Sequence, residues 1–236
     1  MKVVILAGGL GTRLSEETKL IPKPMIKIGK KPMLWHIIRF YRSFGFKEFV
    51  IAAGYKSKII EKFFKKNFLD INIKVINTGK YSQTGHRIYR LKKILEKESF
   101  MLTYGDGLSN IDIKKLISHH RRNKKLATIS IVKPPARWGA VKLNKNVIKS
   151  FEEKNSKNEG WINGGFMIFE PKVFKYFSKK VNCALEGTVF DRLISDKNLS
   201  AFKHNDFWQC MDTLREKTIL NKMWKSKKAP WKIWSE

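Results

Sequence analysis

Val3-Val4-Ile5-Leu6-Ala7-Gly8-Gly9-Leu10-Gly11-Thr12-Arg13 opens the chain with a β-branched run that stops at three closely spaced glycines. A run of this kind reads as a buried strand. The glycines after it read as a loop whose backbone N–H groups can approach an anion closely. The loop is neither of the standard phosphate motifs: Leu14 stands where the third glycine of G-x-G-x-x-G would fall, and the Lys-Ser/Thr ending of a P-loop is missing. What remains is a hydroxyl, Thr12, and a guanidinium, Arg13, able to grip a phosphate through two N–H groups. A tight strand-to-helix turn carrying a surface arginine is the competing reading of the same residues.

Outward from the loop, strands and helices alternate. Met33–Phe44 has apolar residues at helical spacing, Glu48–Ala53 reads as a strand, Ile59–Phe68 as a helix and Ile71–Ile76 as a strand. Tyr89–Lys97 reads as a helix, and Phe100–Tyr104 as a strand running into Gly105-Asp106-Gly107. Such alternation implies a parallel sheet covered on both faces. After Asp106 the order changes. A helix at Ile113–Asn123 precedes strands at Ala127–Val132, Ala140–Leu143, Val147–Glu152 and Ile162–Phe169, then a helix at Thr188–Ile194, a strand at Leu199–His204 and a helix at Thr213–Trp224. The expectation is an α/β fold with a Rossmann-like mixed, mostly parallel sheet flanked by helices. Residues 1–236 form a single domain in this reading, with a nucleotide-binding half to about residue 110 and an acceptor-binding half from about residue 111 sharing one sheet.

Composition narrows the classes. With 42% hydrophobic residues the 236-residue chain can build a large core, and no apolar run reaches the roughly 20 residues that span a bilayer. The opening MKVVILAGGL breaks at two glycines before it makes an export signal, so a cytoplasmic protein is expected. Cys183 and Cys210 have no zinc-site spacing and no disulfide framework around them. Lys and Arg number 49 against 20 Asp and Glu, a formal +29 that attracts polyanions. Because the lysines are spread along the whole chain, phosphorylated small molecules fit this charge as well as nucleic acid does, and no specific nucleic-acid or membrane partner is expected. His119-His120 reads as helix surface and core edge. Lys23 sits between Pro22 and Pro24, which hold the backbone out of a helix and present the ammonium on a stiff segment.

Leu6-Ala7-Gly8-Gly9-Leu10-Gly11-Thr12-Arg13-Leu14 together with Lys23-Pro24-Met25 resembles the signature of the sugar-phosphate nucleotidyltransferases, nearly end to end along the chain. Ser82-Gln83-Thr84-Gly85-His86-Arg87, Tyr104-Gly105-Asp106-Gly107, Trp161-Ile162-Asn163-Gly164-Gly165-Phe166 and Phe207-Trp208-Gln209-Cys210-Met211-Asp212-Thr213 resemble the cytidylyl-transferring branch of that family. The resemblance implies a nucleotidyltransferase (GT-A-like) fold and transfer of CMP from CTP to a sugar 1-phosphate, glucose 1-phosphate first, with release of pyrophosphate. The attacking phosphate oxygen is already ionised at neutral pH, so the chemistry needs cations and alignment rather than a general base. No Ser-His-Asp or Cys-His constellation is present to contradict this.

Position by position, the resemblance implies Arg13 and Lys23 as catalytic residues. It implies a nucleotide site of Leu6, Ala7, Gly8, Gly9, Leu10, Gly11, Thr12, Arg13, Lys23, Ser82, Arg87 and Gly105. Asp106 and Asp212 are implied as the two ligands of Mg2+, a hard cation that takes carboxylate, phosphate and water oxygens. A turn aspartate at Asp106 and a helix N-cap at Asp212 are the plainer readings of those carboxylates. Gly139, Glu153, Lys154, Asn163 and Gly164 are implied on the acceptor side. There Glu153 would accept sugar hydroxyls, Lys154 meet the phosphate, and the glycines leave room for the ring. The chain departs from the family at Asn155, where a proline is usual, and in the short segment between Phe68 and Ser82. Both departures leave open another small phosphorylated acceptor. A noncatalytic polyanion-binding protein is the alternative outside the enzyme class, and assembly with further copies of the chain is compatible with either.

Overall fold

The computed structural model describes residues 1–68, 70–134, 140–144, 147–152, 160–179 and 182–235. Strand β1 (Val3–Ala7) is buried along its whole length. Its alternating side chains enter different cores: Val3, Ile5 and Ala7 one, Val4 and Leu6 the other. Burial on both faces explains why the run is continuously apolar.

Past the glycine loop come a short helix, α1 (Ser15–Thr18), a 3-10 turn at Lys23–Met25, and a small hairpin of β2 (Lys27–Ile28) and β3 (Lys31–Pro32). Helix α2 (Met33–Arg42) lays Met33, Leu34, Ile37, Ile38, Phe40 and Tyr41 on the first core and leads to β4 (Glu48–Ala53). Helix α3 (Ser57–Phe64) stops four residues short of the expected Phe68, which has left-handed backbone (φ 62) that a helix cannot contain. It is followed by β5 (Asn72–Asn77). The helix expected at Tyr89–Lys97 begins earlier, as α4 (Thr84–Arg90), and breaks before α5 (Lys92–Leu95). At the break Leu91 N bonds to Ile88 O, a tightened turn that drives Ile88, Leu91 and Leu95 together into the second core.

Next come β6 (Phe100–Tyr104), β7 (Gly107–Ser109) and α6 (Ile113–Asn123), whose N-terminus is capped by Asp112 accepting from Lys115 N at 3.0 Å. Strands β8 (Ala127–Val132), β9 (Ala140–Asn144), β10 (Val147–Glu152) and β11 (Ile162–Phe169) follow, with β9 and β10 forming an antiparallel ribbon. The helix expected at Thr188–Ile194 is a π-helical turn, Leu185–Val189, running into α7 (Phe190–Ser195). The described chain ends with β12 (Leu199–His204), β13 (Trp208–Cys210), α8 (Leu214–Lys225) and the tail.

Seven strands form the main sheet in the order β12-β8-β11-β6-β1-β4-β5. All its pairings are parallel except those of β11, which runs antiparallel to both β6 and β8. Strands from both ends of the chain share the sheet. From β1 the chain moves through β4 to β5 on one side, then returns to place β6 on the other side of β1. The carboxyl ends of β1 and β6 are therefore the point where the winding reverses, and a crevice opens there. The tail packs onto the first core: Trp231 is fully buried and stacks on Phe207 and Trp224. No helix of the described residues is long and apolar enough to cross a membrane.

Candidate active site

The glycine loop leaves β1 at the winding reversal, next to Gly105-Asp106 at the end of β6. A cavity of about 450 Å³ lies against it. Leu6, Ala7, Gly8, Gly9, Gly11, Thr12, Arg13, Lys23, Ser82, Arg87, Gly105 and Asp106 line this cavity. Of the residues expected to bind nucleotide only Leu10 does not; it points outward and is 39% exposed. Gly11 has φ +69, a conformation that favours glycine and turns the loop back toward Lys23.

Arg87, expected among the nucleotide contacts, lines the cavity and also holds the loop from behind. It is buried, and its guanidinium donates to Gly8 O at 2.7 Å, Gly79 O at 2.7 Å and Thr78 Oγ1 at 2.9 Å. Burial, and secondarily the nearby Arg90, pulls its pKa below the ordinary arginine range. Arg87 thus walls the cavity while its N–H groups fasten the loop after β1 to the segment after β5. Ser82, also on the wall, donates its hydroxyl to Thr78 O.

Lys23 lies in the 3-10 turn after Pro22, and its side chain is 12% exposed. Its ammonium donates to Asp106 Oδ2 at 2.5 Å and to Asp212 Oδ1, and Arg13 donates to Asp212 Oδ2. Desolvation lowers the Lys23 pKa, but the two carboxylates outweigh it and hold the pKa above its ordinary value. The two aspartates meet because β7, which starts just after Asp106, pairs antiparallel with β13, which ends just before Asp212. Cys210 is opposite Gly107, and Met211 N donates to Asp106 O at 2.8 Å. Asp212 is not the N-cap of α8. Thr213 is, with Glu216 closing a capping box by accepting from Thr213 N at 3.0 Å and Asp212 N at 2.6 Å. The Asp212 carboxylate is therefore left to face the cations.

On the far wall Tyr104, Thr84 and Glu186 form a group that the sequence reading passed over. Tyr104 donates its hydroxyl to Glu186, and Thr84 Oγ1 donates to Glu186 at 2.7 Å. Burial, then Glu186, raises the Tyr104 pKa, so the phenol stays a donor. Asn163 Nδ2 donates to the Tyr104 hydroxyl at 3.1 Å, and Asn163 Oδ1 accepts from Gly165 N at 2.9 Å, so the carboxamide braces this wall. At Gly164 a Cβ would lie 2.7 Å from the Val132 side chain, so packing excludes a side chain there. Gly139, Glu153 and Lys154, along with Asn155, lie outside the described residues.

Burial, then Glu216, Asp212 and Asp106, pushes the Cys210 thiol up to about 12, so it stays protonated and supplies no thiolate. Among the described residues no three His, Cys, Asp or Glu side chains gather into a metal site. Asp106 and Asp212 do converge on one cation, the Lys23 ammonium, which demonstrates that a positive charge fits between them. Two hard oxygen donors without a third suit a divalent cation that completes its shell with phosphate and water.

A cation-lined crevice at the winding reversal of an α/β sheet, with two carboxylates at its edge, defines a phosphate-handling enzyme. The chain belongs to the nucleotidyl transferase family, whose model matches residues 2–218. It is 40% identical over 257 aligned positions to the glucose-1-phosphate cytidylyltransferase of Salmonella typhimurium, covering 99% of this chain and 100% of the relative. A probable glucose-1-phosphate cytidylyltransferase of Bacillus subtilis is 38% identical, with 99% of this chain and 100% of the relative covered. Among solved structures, HddC from Yersinia pseudotuberculosis superposes with a TM-score of 0.74 at 26% identity, over 94% of this chain and 99% of the other.

Proposed function

We propose that the chain is a cytidylyltransferase that moves CMP from CTP onto glucose 1-phosphate, giving CDP-glucose and pyrophosphate. The observation that carries the reading is the meeting of Arg13, Lys23, Asp106 and Asp212 at the mouth of the glycine loop, in a chain 40% identical end to end to a glucose-1-phosphate cytidylyltransferase. An oxygen of the sugar phosphate attacks the α-phosphorus of CTP, the bond from that phosphorus to the bridging oxygen breaks, and pyrophosphate leaves. No proton has to be removed from the nucleophile. The work of the chain is to hold two anions together and stabilise the charge that grows on the leaving group.

The glycine loop offers backbone N–H groups to the triphosphate, and Arg13, 74% exposed, has the freedom to swing onto it. Lys23, on its stiff segment, meets the reacting phosphates. The buried charge of Arg87 lies behind Gly8 and adds to the positive potential of the loop. Asp106 and Asp212 would hold Mg2+, which when bound neutralises phosphate oxygens. Glu186, fixed by Tyr104 and Thr84, faces the cavity as an acceptor for sugar hydroxyls, and Lys154 takes the sugar phosphate. The reading carries with it a cytoplasmic location, where nucleoside triphosphates are at hand.

Pyrophosphate release tests it, with CTP, UTP, GTP and dTTP each offered against glucose 1-phosphate, mannose 1-phosphate and a heptose 1-phosphate. CTP with glucose 1-phosphate should be fastest. A faster rate with another pair would reassign the substrate, and no release with any pair would overturn the reading. Asp106→Asn and Asp212→Asn should each lose about 10²–10³ in kcat, the cost of removing one strong transition-state interaction.

A further inference from the structure

Lys23 satisfies both aspartates at once. With Arg13 on the second oxygen of Asp212, two positive and two negative charges cancel within the site. The Lys23 side chain is 12% exposed and that of Asp212 17%, so this attraction is poorly screened by salt. The backbone beneath Lys23 is stiff, lying between Pro22 (φ −67) and Pro24 in the 3-10 turn, so only the side chain is free to change partners.

We propose that Lys23 makes nucleotide and divalent-cation binding mutually dependent: its ammonium fills the cation position between Asp106 and Asp212, and a metal enters only when nucleotide phosphates draw Lys23 and Arg13 away. This rests on the reading of Asp106 and Asp212 as cation ligands. A metal arriving alone would expel Lys23 and leave a largely buried ammonium with no counter-ion beside a second positive charge. A triphosphate arriving alone would take Lys23 and Arg13 and leave two bare carboxylates facing its own negative charge. Arriving together, the two ligands exchange partners with the site and every charge keeps an opposite neighbour. Such coupling is reciprocal, so removing either half of the latch must change the affinity for the other ligand.

Two equilibrium measurements test this, and neither depends on turnover. In the first, Mn2+ is titrated into nucleotide-free enzyme at pH 8 and free Mn2+ is followed by electron paramagnetic resonance. Lys23→Met should bind Mn2+ at least tenfold more tightly than wild type, and Lys23→Gln serves as a second neutral variant should the methionine misfold. In the second, CTP is titrated in EDTA by calorimetry. Asp106→Asn and Asp212→Asn should bind metal-free CTP at least fivefold more tightly than wild type, in spite of their loss of turnover. Equal Mn2+ affinity in wild type and the Lys23 variants, or no gain in metal-free CTP affinity in the aspartate variants, would overturn the latch. The failure of the cation-ligand reading looks different: Asp106→Asn and Asp212→Asn would then leave metal-dependent turnover intact, whereas failure of the cytidylyltransferase reading itself shows as no pyrophosphate release by wild type.

Discussion

Arg87 Nη2 donates to the carbonyl oxygen of Gly8 at 2.7 Å, so the first turn of the nucleotide loop is fastened from behind by a buried cation. The contact also explains why residue 8 is glycine. A Cβ there would lie 2.1 Å from Arg87 Nη1, so the arginine, rather than a phosphate, excludes a side chain at this position. Replacing Arg87 with methionine takes the donor from Gly79 O and leaves Gly8 O only the longer bond from Tyr55 N at 3.3 Å, and an unsatisfied buried group costs about 1–3 kcal/mol. Arg87→Met should therefore lower stability by about 1–3 kcal/mol in urea denaturation and raise KM for CTP. An unchanged urea midpoint would show that Arg87 does not fasten the loop.

The capping box at α8 separates a structural carboxylate from a functional one. Thr213→Ala should cost about 1 kcal/mol of stability, the usual value of an N-cap, with little change in kcat. Glu216→Ala should do more, because Glu216 also accepts from Asp212 N at 2.6 Å and so sets where Asp212 sits. Its kcat should fall about tenfold relative to Thr213→Ala. If the two variants share the same kcat, the backbone of Asp212 is held by the β7–β13 pairing alone.

Residues whose neighbours are close in sequence were legible before the structure. The run Val3–Ala7, the glycines after it and the proline-framed Lys23 announce their conformations locally, and Leu6, Ala7, Gly8, Gly9, Gly11 and Lys23 line the cavity. What sequence could not show was partnership across distance. Asp106 and Asp212 stand side by side only because Cys210 pairs with Gly107, a register fixed by tertiary packing. Arg87 reads as one more cation in a chain with a formal charge of +29, and nothing nearby says that its targets are the carbonyls of Gly8 and Gly79. The cap of α8 reads one residue early, at Asp212, although Thr-x-x-Glu at Thr213 and Glu216 is a local capping signal that marks the true N-cap. Glu186 had no such signal, since its partners Tyr104 and Thr84 are far away in sequence.

His36 should make the fold acid-sensitive. It is fully buried beneath the tail, with Trp231 Nε1–H donating to its Nδ1 at 3.3 Å and its Nε2 donating to Ile28 O at 3.0 Å. This arrangement requires neutral imidazole, and burial lowers the pKa to about 4. The unfolded chain, at the ordinary value of about 6.5, binds the proton first as pH falls. Stability is therefore complete above pH 6.5 and declines between 6.5 and 4, by about 3 kcal/mol for a shift of this size. Urea denaturation at pH 7.0 and 4.5 measures the decline, and His36→Gln should flatten it. An equal slope in the variant would assign the acid sensitivity to other groups.

The two sides of the cavity should separate in kinetics. Tyr104 ends β6 one residue before Gly105, yet its hydroxyl turns away from the phosphate loop to join Asn163 at 3.1 Å and Glu186. Tyr104→Phe removes that junction with little change in volume, so Glu186 keeps only Thr84 as a donor and loses its fixed place on the wall. If Glu186 receives the hydroxyls of the sugar, KM for glucose 1-phosphate should rise about tenfold in Tyr104→Phe and Glu186→Gln, the effect of weakening one hydrogen bond to a charged group. KM for CTP should hold steady in both. If the Lys154 ammonium meets the acceptor phosphate, Lys154→Ala should show the same asymmetry, whereas Lys23→Ala should lower kcat and kcat/KM for CTP together, as loss of a transition-state contact does. Initial rates with one substrate varied and the other saturating give all four comparisons. A rise in KM for CTP in Tyr104→Phe equal to the rise for the sugar phosphate would move this wall to the nucleotide side.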